Sequence, residues 1–425
     1  MLEGAFCLTP DEVDHLTNAF GTPLYVLSEA LLREKIRHYF AAFRAVWPRI
    51  ELAYATKANS TIAVIQIAYQ EGCLIDIASE GELRAALFAG VPASRCHFHG
   101  NNKSLEELRF AINAGVAQIV VDCFEEIDRL KQIGSLRETT LALRLAPGVD
   151  PVTHHKISTG QTDTKFGFSI SDGSAERAVL ECICSDLPLD GIHCHVGSQL
   201  LDPEAQCEGG LALAEFASRM FAAHGLKLAS INVGGGLGVR YSERDKSTPV
   251  HDYCLIVADA VRSGLGGPNE AHLPVLIQEP GRSLVGECGV TLYRVGVIKP
   301  VGNKTYVAVD GGLADNPRPA MYGGEYTVVL ANRTSDCNVN SYTVSGRHCE
   351  TDLLFDNCPL PSDLAVGDIL QVLCTGAYNS SMSSNYNRYR RPKTVLIRLN
   401  DSHSLVQREE TWDEMFAREM LIEEP

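Results

Sequence analysis

The chain has 425 residues, 45% hydrophobic and 21% charged, a globular balance that excludes a disordered or fibrous protein and leaves room for two or three domains. Its 37 Lys and Arg against 53 Asp and Glu give a formal charge of −16, which opposes nucleic acid and acidic membrane surfaces as partners. No stretch reaches the roughly 20 apolar residues of a membrane span, and Met1-Leu2-Glu3-Gly4 lacks a charged-then-apolar secretory opening, so a cytoplasmic protein is expected.

From about residue 30 to 285, short β-prone runs alternate with amphipathic segments, the signal of repeated βα units. Strands are predicted at 52–55, 74–77, 96–98, 118–121, 141–145, 191–195, 230–233 and 275–278. Helices are predicted at 61–70, 80–89, 104–114, 125–132, 175–184 and 203–224. Eight such strands favour an α/β fold built on a (β/α)8 barrel, with an open doubly wound sheet as the competitor. Polar residues decide between the two. Lys57, Asp76, the segment His97-Phe98-His99-Gly100-Asn101, Arg144, His195 with Ser198, Gly234-Gly235-Gly236 and Glu279 all fall at or just past strand carboxyl ends, which converge on one mouth only in a barrel.

After residue 286 the pattern turns to short β-prone runs at 290–299, 305–309, 326–330, 341–344 and 369–372. The expected division is a barrel over 30–285 and a mainly β domain over 1–29 and 286–425, the opening run 23–27 adding a strand to the latter.

Lys57, in Tyr54-Ala55-Thr56-Lys57-Ala58-Asn59, directly follows the first apolar strand. An amine of reference pKa about 10.4 is free in only roughly one molecule in a few thousand at neutral pH, and burial or condensation with a cofactor aldehyde changes that. The competing reading is a lysine snorkelling from a strand end. The triple glycine and Pro280-Gly281-Arg282 follow the seventh and eighth strands, where barrels commonly hold phosphate. Glu279 is either an ordinary strand-end acid or the partner of a protonated pyridine nitrogen. His195 is either a core histidine or a flat ring for a cofactor face.

In the C-terminal part, Cys349 is a candidate proton donor, since thiols titrate near pH 8.5. Arg318 and Tyr322 suit either a carboxylate ligand or a surface ion pair. The 14 cysteines include no Cys-x-x-Cys pair and read as free thiols. The pairs His97-Phe98-His99 and His193-Cys194-His195 lack further ligands at zinc-like spacing, so no metal is expected.

Assembled, these motifs resemble the diaminopimelate decarboxylase family of pyridoxal-phosphate enzymes, with its alanine-racemase-like barrel (fold type III), over about residues 22–415. The resemblance is carried by the Lys57 hexapeptide, Asp76-Ile77-Ala78-Ser79-Glu80-Gly81-Glu82-Leu83 and Phe98-His99-Gly100-Asn101-Asn102-Lys103-Ser104. It continues through His155-Lys156-Ile157-Ser158-Thr159-Gly160, Lys165-Phe166-Gly167, His195-Val196-Gly197-Ser198-Gln199, the triple glycine and Glu279-Pro280-Gly281-Arg282. Arg318-Pro319-Ala320-Met321-Tyr322-Gly323, His348-Cys349-Glu350 and Gly376-Ala377-Tyr378 running into Met382-Ser383-Ser384-Asn385-Tyr386-Asn387 complete it.

The resemblance implies pyridoxal 5'-phosphate bonded to Lys57, with His195 on its ring, Glu279 at its nitrogen, Asp76 and Arg144 nearby, and Ser198, Gly234, Gly235, Gly236, Gly281 and Tyr378 at its phosphate. It further implies Arg282, Arg318 and Tyr322 on the substrate's distal carboxylate, Glu350 on its distal ammonium and Cys349 as proton donor, in a homodimer with composite sites. The implied reaction is decarboxylation of meso-diaminopimelate to lysine. The alternatives are a decarboxylase for ornithine, lysine or another amino acid, a racemase on the same barrel, and a catalytically dead regulatory relative. One departure stands out: Cys349-Glu350-Thr351-Asp352 is one residue shorter than the family's Cys-Glu-Ser-Gly-Asp, in the loop expected to read the substrate's far end.

Overall fold

The computed structural model describes residues 2, 4–149, 165–267, 270–351 and 353–422; the 155–160 motif and Asp352 lie outside them. The chain divides into two compact units, one of residues 32–240 and 245–284, the other of residues 1–31, 241–244 and 285–425.

The chain opens with α1 (Pro10–Phe20), strand β1 (Leu24–Ser28) and α2 (Glu29–Val46). The barrel strands follow: β2 (Ile50–Ala55), β3 (Leu74–Ile77), β4 (Cys96–Phe98), β5 (Gln118–Val121) and β6 (Thr140–Ala146). A two-residue β7 (Phe168–Ser169) extends β6, and β8 (Leu189–His193), β9 (Ser230–Asn232) and β10 (Val275–Gln278) complete the ring. All of these pairings are parallel, and β10 bonds back to β2 with Gln278 opposite Leu52. That closure makes the sheet an eight-stranded barrel, and the open-sheet alternative is set aside.

Around the barrel run α3 (Ile62–Gln70), α4 (Glu80–Phe88), α5 (Leu105–Ala114), α6 (Phe124–Ile133), α7 (Ser174–Cys184), α8 (Glu204–His224) and α9 (Val250–Gly264). Local chemistry sets their ends. Ser104 and Glu107 close a reciprocal capping box on α5, and Gly115 ends it in the left-handed conformation. Each helix turns an apolar face inward, as Leu108, Ala111 and Ile112 do on α5. The barrel strands are buried on both faces, which explains why they read as apolar runs without alternation. A short turn, α10 (Arg282–Val285), follows β10.

The other unit is a nine-stranded sheet. Its strands are β1, β11 (Gly289–Val301), β12 (Lys304–Val309), β13 (Val328–Leu330), β14 (Val339–Ser345), β15 (Leu353–Pro361), β16 (Ile369–Val372), β17 (Lys393–Ile397) and β18 (His403–Gln407). Strand β1 lies between β11, antiparallel, and β17, parallel. The long β11 pairs with β1 and β16 through its first half and with β12 through its second, the register shifting between Val295 and Val297. One helical turn, α11 (Arg318–Tyr322), stands between β12 and β13.

Candidate active site

Strand register assembles the barrel part. Asp76 pairs across the ladder with His97, Arg144 with His193, and His193 with Asn232, which lines polar residues up at the carboxyl ends of β3, β4, β6, β8 and β9. Glu279 follows β10, its amide donating to Gly234 O at 2.8 Å. Lys57 projects from the single turn Thr56–Ala58 after β2, exposed while both neighbours are buried. It lies close enough to Asp76 and His195 to bias their ionisation.

Glu279 is the most heavily held group. Asn232 Nδ2 donates to its Oε1 at 2.6 Å, His193 Nε2 donates to its Oε2 at 3.1 Å, and His99 Nε2 lies 2.9 Å from Oε1. The His99 contact is an ion pair without hydrogen-bond alignment, and the same nitrogen lies 3.6 Å from Asp76 Oδ1. Burial alone would raise the Glu279 pKa, but the imidazoles of His99 and His193 outweigh it and hold the carboxyl well below its ordinary range. Burial raises Asp76 to about 6 against the pull of His99. Burial pushes His195 well below the ordinary histidine value, aided by Lys57 and Arg144. Neutral His195 accepts the Gly235 amide at Nδ1, 3.3 Å away.

The triple glycine is spent partly inside the barrel. Gly234 N–H donates to Asn232 Oδ1 at 2.9 Å and Gly235 N–H to His195, so two of the amides expected at a phosphate already have partners in the chain. A Cβ on Gly235 would stand 2.1 Å from the Glu279 carbonyl oxygen, and one on Gly234 2.4 Å from that of Cys194. Close approach of three strand ends is therefore what demands glycine here. Arg282 Nη2 donates to Ser198 Oγ at 3.0 Å, joining the loops after β10 and β8. Arg144 is buried with its guanidinium 4.1 Å from the Phe166 ring, and Gly281 is packed against Ala55 and Ala58 beside Lys57.

In the β unit, Arg318 is buried, Nη1 donating to Tyr326 Oη at 2.6 Å, with its guanidinium 4.4 Å from the Tyr241 ring centre. Tyr326 donates in turn to Asn379 Oδ1 at 3.2 Å, and Tyr378, half-buried beside it, adopts φ +60°. Tyr322 ends α11, half-buried. Cys349 and Glu350 are exposed: the Cys349 amide donates to Asn387 Oδ1 at 2.8 Å, and Tyr386 donates its hydroxyl to Glu350. His348 stacks 5.9 Å from the Tyr386 ring. A turn formed by Tyr386 and Asn387 thus anchors the shortened loop at two consecutive residues.

The sequence reading did not single out Asn232, Tyr241, Tyr326 or Asn379. Asn232 was available as the polar end of an apolar strand; Tyr241 and Tyr326 carry no local signal, because what matters is their convergence on Arg318.

Residues 33–286 match the model of the pyridoxal binding domain of the pyridoxal-dependent decarboxylases, which defines the class. Diaminopimelate decarboxylases of Halalkalibacterium halodurans and Bacillus subtilis are each 42% identical to this chain, covering 93% of it and 90% and 91% of their own lengths. The structure of the M. jannaschii diaminopimelate decarboxylase in complex with L-lysine superposes with a TM-score of 0.88 at 32% identity, covering 96% of this chain and 94% of that one. The chain belongs to the diaminopimelate decarboxylase family of pyridoxal-dependent decarboxylases.

Its cofactor is pyridoxal phosphate, and the barrel mouth fits that group. An exposed lysine, a buried anionic carboxylate, a neutral imidazole, and an Arg282–Ser198 pair supply an amine, an acceptor for a pyridinium N–H, a ring face, and a cation with a hydroxyl for phosphate.

Proposed function

We propose that the chain decarboxylates meso-2,6-diaminopimelate to L-lysine and carbon dioxide, a reaction of lysine biosynthesis. The observation that carries this is the full-length likeness to diaminopimelate decarboxylases, with Lys57 at the mouth of the barrel that also holds Glu279. When bound, pyridoxal phosphate supplies an aldehyde for the substrate's amine and a ring that takes up the electron pair released as the carboxylate leaves.

The chain's residues do the rest. Lys57 Nζ would be the amine that holds the cofactor through its aldehyde. Glu279, held ionised, would accept a pyridinium N–H, and neutral His195 would offer a flat ring to the cofactor's face, with Asp76 and Arg144 beside them. Ser198, Gly236, Gly281 and Tyr378 hold the phosphate, with Gly234 and Gly235 shaping the same loop. Arg282, Arg318 and Tyr322 hold the distal carboxylate and Glu350 the distal ammonium, so a substrate lacking that second α-amino-carboxylate centre leaves buried Arg318 without its ligand. Cys349 returns a proton to the substrate carbon from its Sγ. Retention of Lys57 and Cys349 speaks against a dead regulatory relative.

A homodimer belongs to the same reading. Cys349 and Glu350 are exposed on their own chain and would serve a site shared with a second copy, which gives residues 1–29 and 286–425 the role of completing the active site and the interface. A cytoplasmic location belongs to the same reading; no helix of the described residues is long and apolar enough to cross a membrane.

Carbon dioxide release measured across diaminopimelate, lysine, ornithine and arginine tests the reading. Diaminopimelate is expected as the preferred substrate, with borohydride trapping the cofactor on Lys57 and Lys57→Ala abolishing turnover. Activity confined to ornithine would overturn the substrate assignment, and full activity of Lys57→Ala would overturn the chemistry.

A further inference from the structure

The two histidine pairs at the ends of β4 and β8 split by role in a way their sequence does not announce. His195 belongs to the cofactor face, but His99 and His193, one from each pair, meet on the Glu279 carboxylate with their nitrogens 2.9 and 3.1 Å from its two oxygens. Their rings lie 4.9 Å apart, nearly perpendicular, and all three residues are buried. The His193 contact is a hydrogen bond, and the His99 contact an ion pair at 2.9 Å.

The two imidazoles differ in state. His193 Nδ1 has no hydrogen-bond partner among the described residues, so a second proton on the ring would bury an unsatisfied N–H. His193 is therefore the neutral tautomer with its hydrogen on Nε2, and burial accordingly lowers it to about 4. His99 stands between two carboxylates, Asp76 and Glu279; burial opposes its charge, but these two anions raise its pKa above the ordinary value. Because its approach to Glu279 is misaligned for a hydrogen bond, His99 acts there through charge.

We propose that His99 and His193 are positioning residues for the cofactor's nitrogen partner: His99 supplies the buried positive charge that keeps Glu279 ionised, and His193, with Asn232, fixes the orientation of its carboxylate. The inference rests on the reading that Glu279 meets the pyridine nitrogen. A carboxylate alone in this low-dielectric setting would take up a proton and lose its capacity to accept from the ring. Three contacts from β4, β8 and β9 prevent that, and Asp76 behind His99 retains the imidazolium. The charged and titratable groups around Glu279 are Asp76, His97, His99, Arg144, His193, Cys194 and His195.

The test uses the reconstituted holoenzyme and two readouts besides turnover: the pH midpoint of the bound cofactor's visible absorbance and the cofactor's dissociation constant. In His99→Gln and His193→Phe the midpoint is expected to move by about one unit or more and the dissociation constant to rise about tenfold. In a Glu279→Gln background, adding either histidine change is expected to move neither quantity further. Equal shifts in the two backgrounds, or an unmoved midpoint in His99→Gln, would overturn the inference. If His193→Phe does not accumulate as folded protein, the His99→Gln comparison decides alone. A wild-type protein that shows no visible band after reconstitution overturns the proposed function, and this inference with it, and is separable from the other outcomes because it needs no variant.

Discussion

Arg318 is restrained by the hydroxyl of Tyr326 and the face of Tyr241, and Tyr326 is itself tied to Asn379. A guanidinium fixed in this way can grip a carboxylate with little further loss of side-chain freedom. Arg318→Ala is expected to raise KM for diaminopimelate by about 10–150-fold, the equivalent of one charged hydrogen-bonding partner, with cofactor content unchanged. Tyr326→Phe keeps the ring and removes the restraint, so a smaller rise in KM with little change in kcat is expected. Steady-state kinetics on both variants checks this; an unchanged KM in Arg318→Ala would remove the residue from the substrate site.

At this scale the sequence was legible where one residue type implies one chemistry at one place. Lys57 after the first strand and Glu279 after the last announce themselves. His99 and His193 do not, since each gains its meaning from a carboxylate 180 and 86 positions away, respectively. The triple glycine was legible as a special loop, yet its cause differs: the crowding of Gly235 against Glu279 is a packing fact that no sequence pattern states.

Among the elements, the loop after β4, strand β5 and helix α6 are bound together by one buried pair. Lys103 Nζ lies 2.8 Å from Glu126 Oε1 and donates to Gly100 O at 2.7 Å and Val120 O at 2.8 Å, with both side chains buried. Removing one partner strands a charge in the interior, which typically costs about 3–5 kcal/mol, whereas replacing both by apolar residues is often close to neutral. Lys103→Met is therefore expected to lower unfolding stability by about that amount, and Lys103→Met with Glu126→Leu to recover most of it. Denaturant unfolding of the two proteins distinguishes this from a pair that contributes nothing.

Element existence was readable wherever burial on both faces produced an apolar run: β3, β4, β5, β10 and β16 match their predicted bounds. Strand β8 stops at His193 instead of continuing to His195, because the chain turns there to meet Gly235. Strand β15 escaped prediction, since Asp356, Asn357, Pro359 and Pro361 argue against a strand. Among the described residues it lies at the edge of its sheet, pairing only with β14, and an edge tolerates proline.

For the molecule as a whole, pH acts through a buried acid in the β unit. Burial raises the Asp315 carboxyl to about 7, opposed by hydrogen bonds from the Tyr293 hydroxyl and the Gly312 amide. In the unfolded chain an aspartate titrates near about 3.9. Between those values the native state holds a proton that the unfolded state has released, so this group's contribution is complete below about pH 4 and is lost as pH rises through about 7. Wild-type protein is expected to lose thermal stability over that interval relative to Asp315→Asn, which keeps an acceptor and cannot ionise. Parallel melting curves for the two proteins would refute it.

The fold class and the closed barrel were legible from eight predicted strands with polar residues at their carboxyl ends, but the partners of β1 were not, since they depend on pairings between distant positions. In the β unit the consecutive pairs β11–β12, β14–β15 and β17–β18 are local, but the placing of β1, β13 and β16 joins distant positions, and local propensity carries no information about it.

The central place of β1 has a consequence for biosynthesis. All five of its residues are buried, and its parallel neighbour β17 begins 365 positions after β1 ends. At translation rates of about 5–20 residues per second, that interval lasts roughly 20–70 s. Throughout it, the nascent chain carries an apolar ribbon whose lateral mate has not been made, while the intervening barrel emerges from the ribosome. Shielding by a chaperone during this wait is what such a thread would call for.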